Sequence, residues 1–276
     1  MSLNLMYITN NPEVALIAEK HGVDRIWIDL EVLGKEDRQK NLNSVKSHHT
    51  VQDIKNIAPK LNKAELLVRI NPWNIGSEKE ISKVIAAGAQ IVMLPMWKTV
   101  CEVKNFLAAV NGRVKTMLLL ETKEAEYCLD EILKLKGIDY IHIGLNDLHL
   151  SYGLTFMFEL LSNGTVESIC NKIKSTGIPY GFGGVAKIGE GALPSEKIIL
   201  EHYRLGSTSA ILSRSFCDAD KVKDLKKIEE IFDKNLAELR NFETYAEHAD
   251  AETLNKNAES VAESVNRIVK VIEGRK

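Results

Sequence analysis

The chain has 276 residues, 36 Lys+Arg against 38 Asp+Glu, and a formal net charge of -2, so it carries no field that would gather nucleic acid. Apolar residues make up 45% and charged residues 27%, the balance of a globular protein with one large α/β domain or two small ones, which excludes disorder for most of the chain. No apolar run reaches the roughly 18 residues of a membrane helix. The opening Met1-Ser2-Leu3-Asn4-Leu5-Met6-Tyr7 also lacks the basic-then-apolar layout of a signal peptide, which predicts a cytoplasmic protein with neither nucleic acid nor membrane as partner. Cys101, Cys128, Cys170 and Cys217 lie far apart without a CxxC pair and read as reduced thiols.

In chain order, short aliphatic runs predict strands at Leu3 to Ile8, Arg25 to Leu30, Glu65 to Ile70, Gln90 to Leu94, Thr116 to Leu120, Asp139 to Gly144, Pro179 to Gly183 and Ser209 to Leu212. Most are continuously apolar, as expected of parallel strands buried on both faces. Between them helical periodicity spans Asn11 to His21, Thr50 to Leu61, Ser77 to Ala87, Val100 to Val110, Lys123 to Leu135, Thr165 to Thr176 and Ser195 to Leu205, most of them stopped by a glycine. Helix end, Gly and strand recur at His21-Gly22-Val23, Ala87-Gly88-Ala89 and Lys136-Gly137-Ile138. This rhythm predicts a (β/α)8 barrel over residues 1–217, with an open doubly wound sheet as the alternative. Residues 218–276 contain no proline and no strand-like run. They predict a C-terminal extension of two amphipathic helices with a break near His248-Ala249-Asp250, packed on a neighbouring subunit or on the barrel's own rim.

A barrel places its reactive groups where strands end. Those positions carry Thr9 and Asn10, Asp29 and Glu31, Arg69 and Asn71, Pro95 and Lys98, Glu121, Asn146 and Asp147, Gly183 and Gly184, and Ser213 and Arg214. Glu121 and Asp147, ending adjacent strands, are two hard oxygen donors whose repulsion a divalent Mg²⁺ or Mn²⁺ would relieve; the alternative makes Glu121 a helix cap and Asp147 a turn residue. Arg69 offers a bidentate partner for a carboxylate substrate, or an ion pair with Asp29 or Glu31. His142 reads as a hydrogen-bonded core residue, while His149 lies closer to the mouth. The run from Gly181 to Gly191 matches neither a dinucleotide fingerprint nor a Walker loop, and close backbone approach to a substrate explains Gly183. The pair His48-His49 receives no role.

Several segments resemble, in order, the HpcH/HpaI aldolase and citrate lyase beta-subunit family of metal-dependent barrels. They are Gly22-Val23-Asp24-Arg25-Ile26-Trp27-Ile28-Asp29-Leu30-Glu31, Val68-Arg69-Ile70-Asn71, Gly88 through Pro95, Leu120-Glu121-Thr122, and Ile143-Gly144-Leu145-Asn146-Asp147-Leu148 with Tyr152-Gly153. The resemblance implies that Glu121 and Asp147 hold a divalent metal on the 2-oxo and carboxylate oxygens of a small 2-oxo acid. It implies further that Arg69 stabilises an enolate oxygen with Asp29 and Glu31 beside it, and that Asn146, Asp147, Pro95 and Gly183 contact substrate. It also implies a homo-oligomer, trimer or hexamer, joined through C-terminal helices. Two departures stand out. Val32 occupies the position where the aldolase branch carries a histidine acid/base, and Met96 and Trp97 separate Pro95 from Lys98 where the citrate-lyase branch has a lysine directly after the proline.

The expected activity is a divalent-metal-dependent carbon–carbon lyase acting on pyruvate or a related 2-oxo acid, with bound water, Glu31 or His149 as the base. The alternatives are an impaired barrel that binds a small carboxylate and serves as a partner subunit, and another enolate reaction such as carboxylate transfer.

Overall fold

The computed structural model describes residues 2–34, 48–219 and 221–274. Eight parallel strands follow the predicted order: β1 (Asn4–Ile8), β2 (Arg25–Asp29), β3 (Glu65–Arg69), β4 (Ile91–Leu94), β5 (Lys115–Leu120), β6 (Tyr140–Ile143), β7 (Tyr180–Val185) and β8 (Ser209–Leu212). Each pairs with the next and β8 pairs with β1, so the sheet is a closed barrel and the open-sheet alternative is excluded. Alternate residues of each strand face opposite ways. Met6, Trp27, Leu67, Met93, Met117 and Leu119 fill the barrel, while Leu5, Tyr7, Ile26, Ile28, Leu66 and Val68 pack outward. Burial on both faces is why the strands read as unbroken apolar runs. Closure between β7 and β8 requires Gly181, because a Cβ there would lie 2.1 Å from the Ser209 carbonyl oxygen.

The helices are α1 (Pro12–Lys20), α2 (Val51–Ile57), α3 (Ser77–Ala87), α4 (Val100–Val110), α5 (Lys123–Tyr127), α6 (Leu129–Ile132), α7 (Leu145–Ser151), α8 (Glu159–Ser162), α9 (Thr165–Lys174) and α10 (Ser195–Leu205). Two differ from the sequence expectation for local reasons. The helix predicted to run to Leu61 tightens into a 3-10 turn at Ala58–Lys60, where Pro59 has no N–H to donate. The helix predicted over Lys123 to Leu135 breaks at Cys128, whose φ of -97° and ψ of 7° let Ala125, Leu129 and Ile132 all reach the core. Helices α7 and α8 lie in a segment where sequence periodicity predicts none.

Beyond the barrel run α11 (Leu225–Glu247) and α12 (Ala251–Glu273), separated at the expected break, with Asp250 capping α12 through the Thr253 N–H. Both find their surface on this chain's own barrel, and a neighbouring subunit is not required to bury their stripe. Helix α11 lies against α1 and α10, and α12 against α10 and α8. Phe232 meets the Tyr7 ring edge-on at 5.0 Å, and Lys197 Nζ donates to Ser260 and Ser264. A further tie is Glu243, which is almost fully buried. Its carboxylate accepts from the Leu3 N–H at 2.7 Å and from Arg240 Nη1 at 2.7 Å, while the same Nη1 donates to the Leu3 carbonyl at 2.9 Å. Among the described residues no helix is long and apolar enough to cross a membrane.

Removing a buried acceptor strands its donors. Glu243→Ala is expected to lower unfolding free energy by about 2–4 kcal/mol in urea titrations, and Glu243→Gln, which keeps an acceptor for the Leu3 N–H, by about half as much.

Candidate active site

The C-terminal mouth of the barrel holds a cavity of about 300 Å³ whose lining includes Trp27, Asp29, Arg69, Glu121, Asn146 and Asp147. At its centre is Arg69, the last residue of β3, with only 12% of its side chain exposed. Its Nε and Nη2 donate to the two oxygens of Asp29 at 2.8 and 2.9 Å, and Nη2 lies 3.3 Å from Glu31 Oε2. The guanidinium also lies over the Trp27 ring, 5.2 Å from its centroid. Burial works against its charge, and Asp29 and Glu31 outweigh burial, so its pKa stands above the ordinary value. Of the two readings open to Arg69, the bidentate partner is thus Asp29. The Nη1 edge makes no hydrogen bond among the described residues and is what remains for a ligand.

Glu121 follows β5 and turns inward. The residue that caps the next helix is Thr122, whose hydroxyl accepts from the Ala125 N–H at 3.1 Å, so the cap reading of Glu121 does not hold. Glu121 Oε1 accepts instead from the Met96 N–H at 3.1 Å. That donor is aimed by a left-handed backbone at Met96, φ 53°, unusual for a residue with a side chain. Gly144 is required opposite, since a Cβ there would lie 2.9 Å from both Glu121 Cβ and Oε2. Asp147 stands in the first turn of α7, where the helix dipole favours a carboxylate. Burial and then the charge of Asp147 push the Glu121 carboxyl well above the usual range, against the pull of Arg69 and the Met96 N–H.

The remaining expected residues are distributed as follows. Asn146 is exposed at the lip of the cavity, and Gly183, φ 50°, forms its wall, where a Cβ would collide with Leu145 at 2.7 Å. Pro95 is buried and does not line the cavity; Met96, one residue on, reaches the site through its backbone. His142 lies beneath the site with no exposed surface, its Nε2 3.2 Å from the Gly183 carbonyl, and burial drives it down to about 4, so it is a neutral core residue as expected. His149 is 7% exposed, with Nδ1 bonded to the Leu145 carbonyl of its own helix, and does not line the cavity. Val32, at the position of the family's histidine, is 59% exposed.

Three contributors carried no sequence signal that marked them: the Met96 N–H, Trp27 beneath Arg69, and His49, whose Nδ1 accepts from the Asp29 N–H at 3.0 Å.

Asp29, Glu31 and Glu121 all act on the charge of Arg69, and Asp147 acts on Glu121. The raised Glu121 beside Asp147 is the mark of a donor pair that a cation would satisfy. No group of three or more His, Cys, Asp or Glu suited to a metal occurs among the described residues. A carboxylate pair fits Mg²⁺ or Mn²⁺, ions that keep water or substrate oxygens in several positions.

Between the ordinary carboxyl value of 4.5 and its raised folded value, Glu121 binds more proton in the folded state than in the unfolded one. Stability contributed by this group therefore falls as pH rises through that window. In metal-free buffer, thermal unfolding of Glu121→Gln is expected to lose less stability than wild type as pH rises above the ordinary carboxyl value of 4.5, and an equal loss would show that Glu121 ionises normally.

Residues 4–178 match the family described as HpcH/HpaI aldolase/citrate lyase. A hydroxypyruvate/pyruvate aldolase of Rhizorhabdus wittichii is 26% identical over an alignment of 179 residues that takes in 51% of this chain and 70% of the relative. Among solved structures, an HpcH/HpaI aldolase from Desulfitobacterium hafniense DCB-2 superposes with a TM-score of 0.58 at 17% identity, covering 83% of this chain and 93% of that one. A citrate lyase beta subunit of M. tuberculosis, complexed with oxaloacetate and magnesium, gives a TM-score of 0.55 at 14% identity, covering 84% of this chain and 97% of its own. The superpositions share the barrel fold, and the family match spans most of the barrel and both strand ends that carry Glu121 and Asp147: the chain belongs to the HpcH/HpaI aldolase/citrate lyase family.

Proposed function

We propose that this protein is a divalent-metal-dependent lyase that makes or breaks a carbon–carbon bond to pyruvate or a related 2-oxo acid through an enolate. The observation that carries the reading is the pair formed by the buried Glu121 and the half-buried Asp147 beside the clamped guanidinium of Arg69. Glu121 and Asp147 would hold the ion, and Mg²⁺ or Mn²⁺ there would supply Lewis acidity toward the 2-oxo and carboxylate oxygens.

The protein's own part is positioning and charge. Asp29 and Glu31 fix Arg69 so that its Nη1 edge meets an oxygen on which negative charge develops, with no reorganisation during the reaction. The Met96 N–H fixes one oxygen of Glu121 and leaves the other for the ion. Gly183 lets the wall approach a small substrate closely, and Asn146 at the lip can donate to its carboxylate. Trp27 and Leu119 keep the floor apolar, which strengthens these interactions. An intact set of this kind supports a working lyase over an impaired partner subunit. Glu31 is engaged by Arg69 and His149 does not line the cavity, which leaves a water molecule as the base among the three candidates. A homo-oligomer belongs to the same proposal, supported by the exposed apolar Val32, Leu33 and Ile75 on neighbouring loops of the mouth.

Calorimetry with pyruvate is expected to give binding only with Mg²⁺ or Mn²⁺ present, and none in Glu121→Ala or Asp147→Ala. Metal-independent binding would refute the assignment of the carboxylates. Exchange of pyruvate C3 protons with deuterated solvent, followed by NMR, reports enolate formation directly. Arg69→Lys, which cannot keep the fork on Asp29, is expected to slow it by roughly 100-fold or more.

A further inference from the structure

The barrel has a second opening, at the end where its strands begin, and the charges there do not balance among themselves. A cavity of about 530 Å³ at this end has a lining that includes Arg25, Glu65, Tyr140, Lys174, Pro179 and Tyr180. Arg25 opens β2 and Asp29 ends it, so this cavity and the mouth that holds Arg69 are about 13 Å apart along that strand.

Arg25 faces into the barrel, as Trp27 does on the same strand, and only 5% of its side chain is exposed. Its Nε is buried without an acceptor, and its guanidinium donates no hydrogen bond among the described residues. The carboxylate it does meet, Glu65, stands 3.6 Å from Nε and gives its other oxygen to Lys115 at 2.6 Å. The guanidinium carbon lies 4.1 Å over the Tyr140 ring, a contact that uses its charge and supplies no lone pair. That charge adds to burial in keeping His142 neutral, two residues further along β6. The other polar side chains that begin strands here are committed elsewhere. Asp24 accepts from the Leu5 N–H at 2.7 Å, Gln90 from the Leu66 N–H at 2.8 Å and Asp139 from the Thr116 N–H at 2.8 Å.

Lys174, the last residue of α9, lines the same cavity, and its ammonium makes no ion pair or hydrogen bond among the described residues. Lys115 stands at the edge, 5.9 Å from the centroid of the Tyr140 ring. Arg25, Lys115 and Lys174 thus share the single carboxylate of Glu65. A guanidinium taken out of water calls for a charged acceptor, and the surplus of cations suits a dianion. The cavity is larger than a bare phosphate ion, and Tyr140, Ile178, Pro179 and Tyr180 offer apolar surface to whatever carries the charge.

We infer that this end of the barrel binds the phosphoryl dianion of a small phosphate monoester, with Arg25 and Lys174 on its oxygens and its organic part against Tyr140, Pro179 and Tyr180. The planar fork of Arg25 matches two phosphoryl oxygens, and Lys174 adds a point charge. No group of the mouth takes part, so the site stands apart from the lyase reading. Barrels carry their reactive groups at the opposite end, so this ligand is held and not transformed.

The test is calorimetry on the intact chain in EDTA, with glycerol 3-phosphate as the probe. Saturable binding is expected, with inorganic phosphate and succinate, a dianion without a phosphoryl group, each about 10-fold weaker or more. Lys174→Ala, at an exposed position, is expected to weaken the ester about 10-fold, and Glu65→Gln, which withdraws the competing carboxylate, to tighten it several-fold. Arg25→Met is expected to abolish binding, with its melting temperature and circular dichroism reporting whether the barrel has folded. Arg69→Lys, which alters only the mouth, is expected to leave the affinity within about 2-fold. Absence of saturable binding overturns the assignment, as does succinate or inorganic phosphate binding as tightly as the ester. Unchanged affinity in either Lys174→Ala or Glu65→Gln, or loss of binding in Arg69→Lys, overturns it equally.

Discussion

A guanidinium taken out of water at the mouth of a barrel must be answered by negative charge, and the organisation of this site follows from how Arg69 is answered. Asp29 engages its fork and Glu31 its flank, so the cation is fixed in place and in charge. With those two carboxylates committed, Glu121 and Asp147 are left lining the cavity, and burial and then the charge of Asp147 drive Glu121 toward its neutral form. A clamped cation and a carboxylate pair lining one cavity are the elements of a site that can accept a divalent ion and an anionic oxygen together. The same clamp reaches sideways through the Asp29 N–H to His49.

Much of the barrel was legible because its physics is repetitive. Strands covered on both faces must be apolar at successive positions, as in Ile91–Leu94 and Leu118-Leu119-Leu120, and helices that turn sharply into strands stop at residues such as Gly88 and Gly206, which take positive φ. What stayed hidden was local or nonlocal in the wrong measure. The break at Cys128 lies inside an unbroken amphipathic pattern, and α7 and α8 are too short to show a period.

In the site, the acidic and basic residues at strand ends were legible because barrel topology assigns them one rim. Their partners were not. Whether Arg69 serves a ligand or Asp29 depends on the relative placement of β2 and β3 side chains. The Met96 N–H belongs to a backbone donor that every residue type carries. His49 is separated from Asp29 by a long connection, and no periodicity points it back to the strand it touches.

The contact between Glu243 and the Leu3 N–H has a consequence for the order in which the molecule is built. Synthesis delivers β1 before the other strands, β8 some 200 residues later, and the acceptor for the strand's opening N–H only in the last turns of α11. The first strand therefore leaves the ribosome with one edge waiting for β8 and its start waiting for the tail. Pairings of such long sequence separation are slow to form and expose unpaired strand edges while they wait. The barrel is sealed last at the place where it was begun, and α11 acts as the clasp that ends the period in which β1 can pair wrongly.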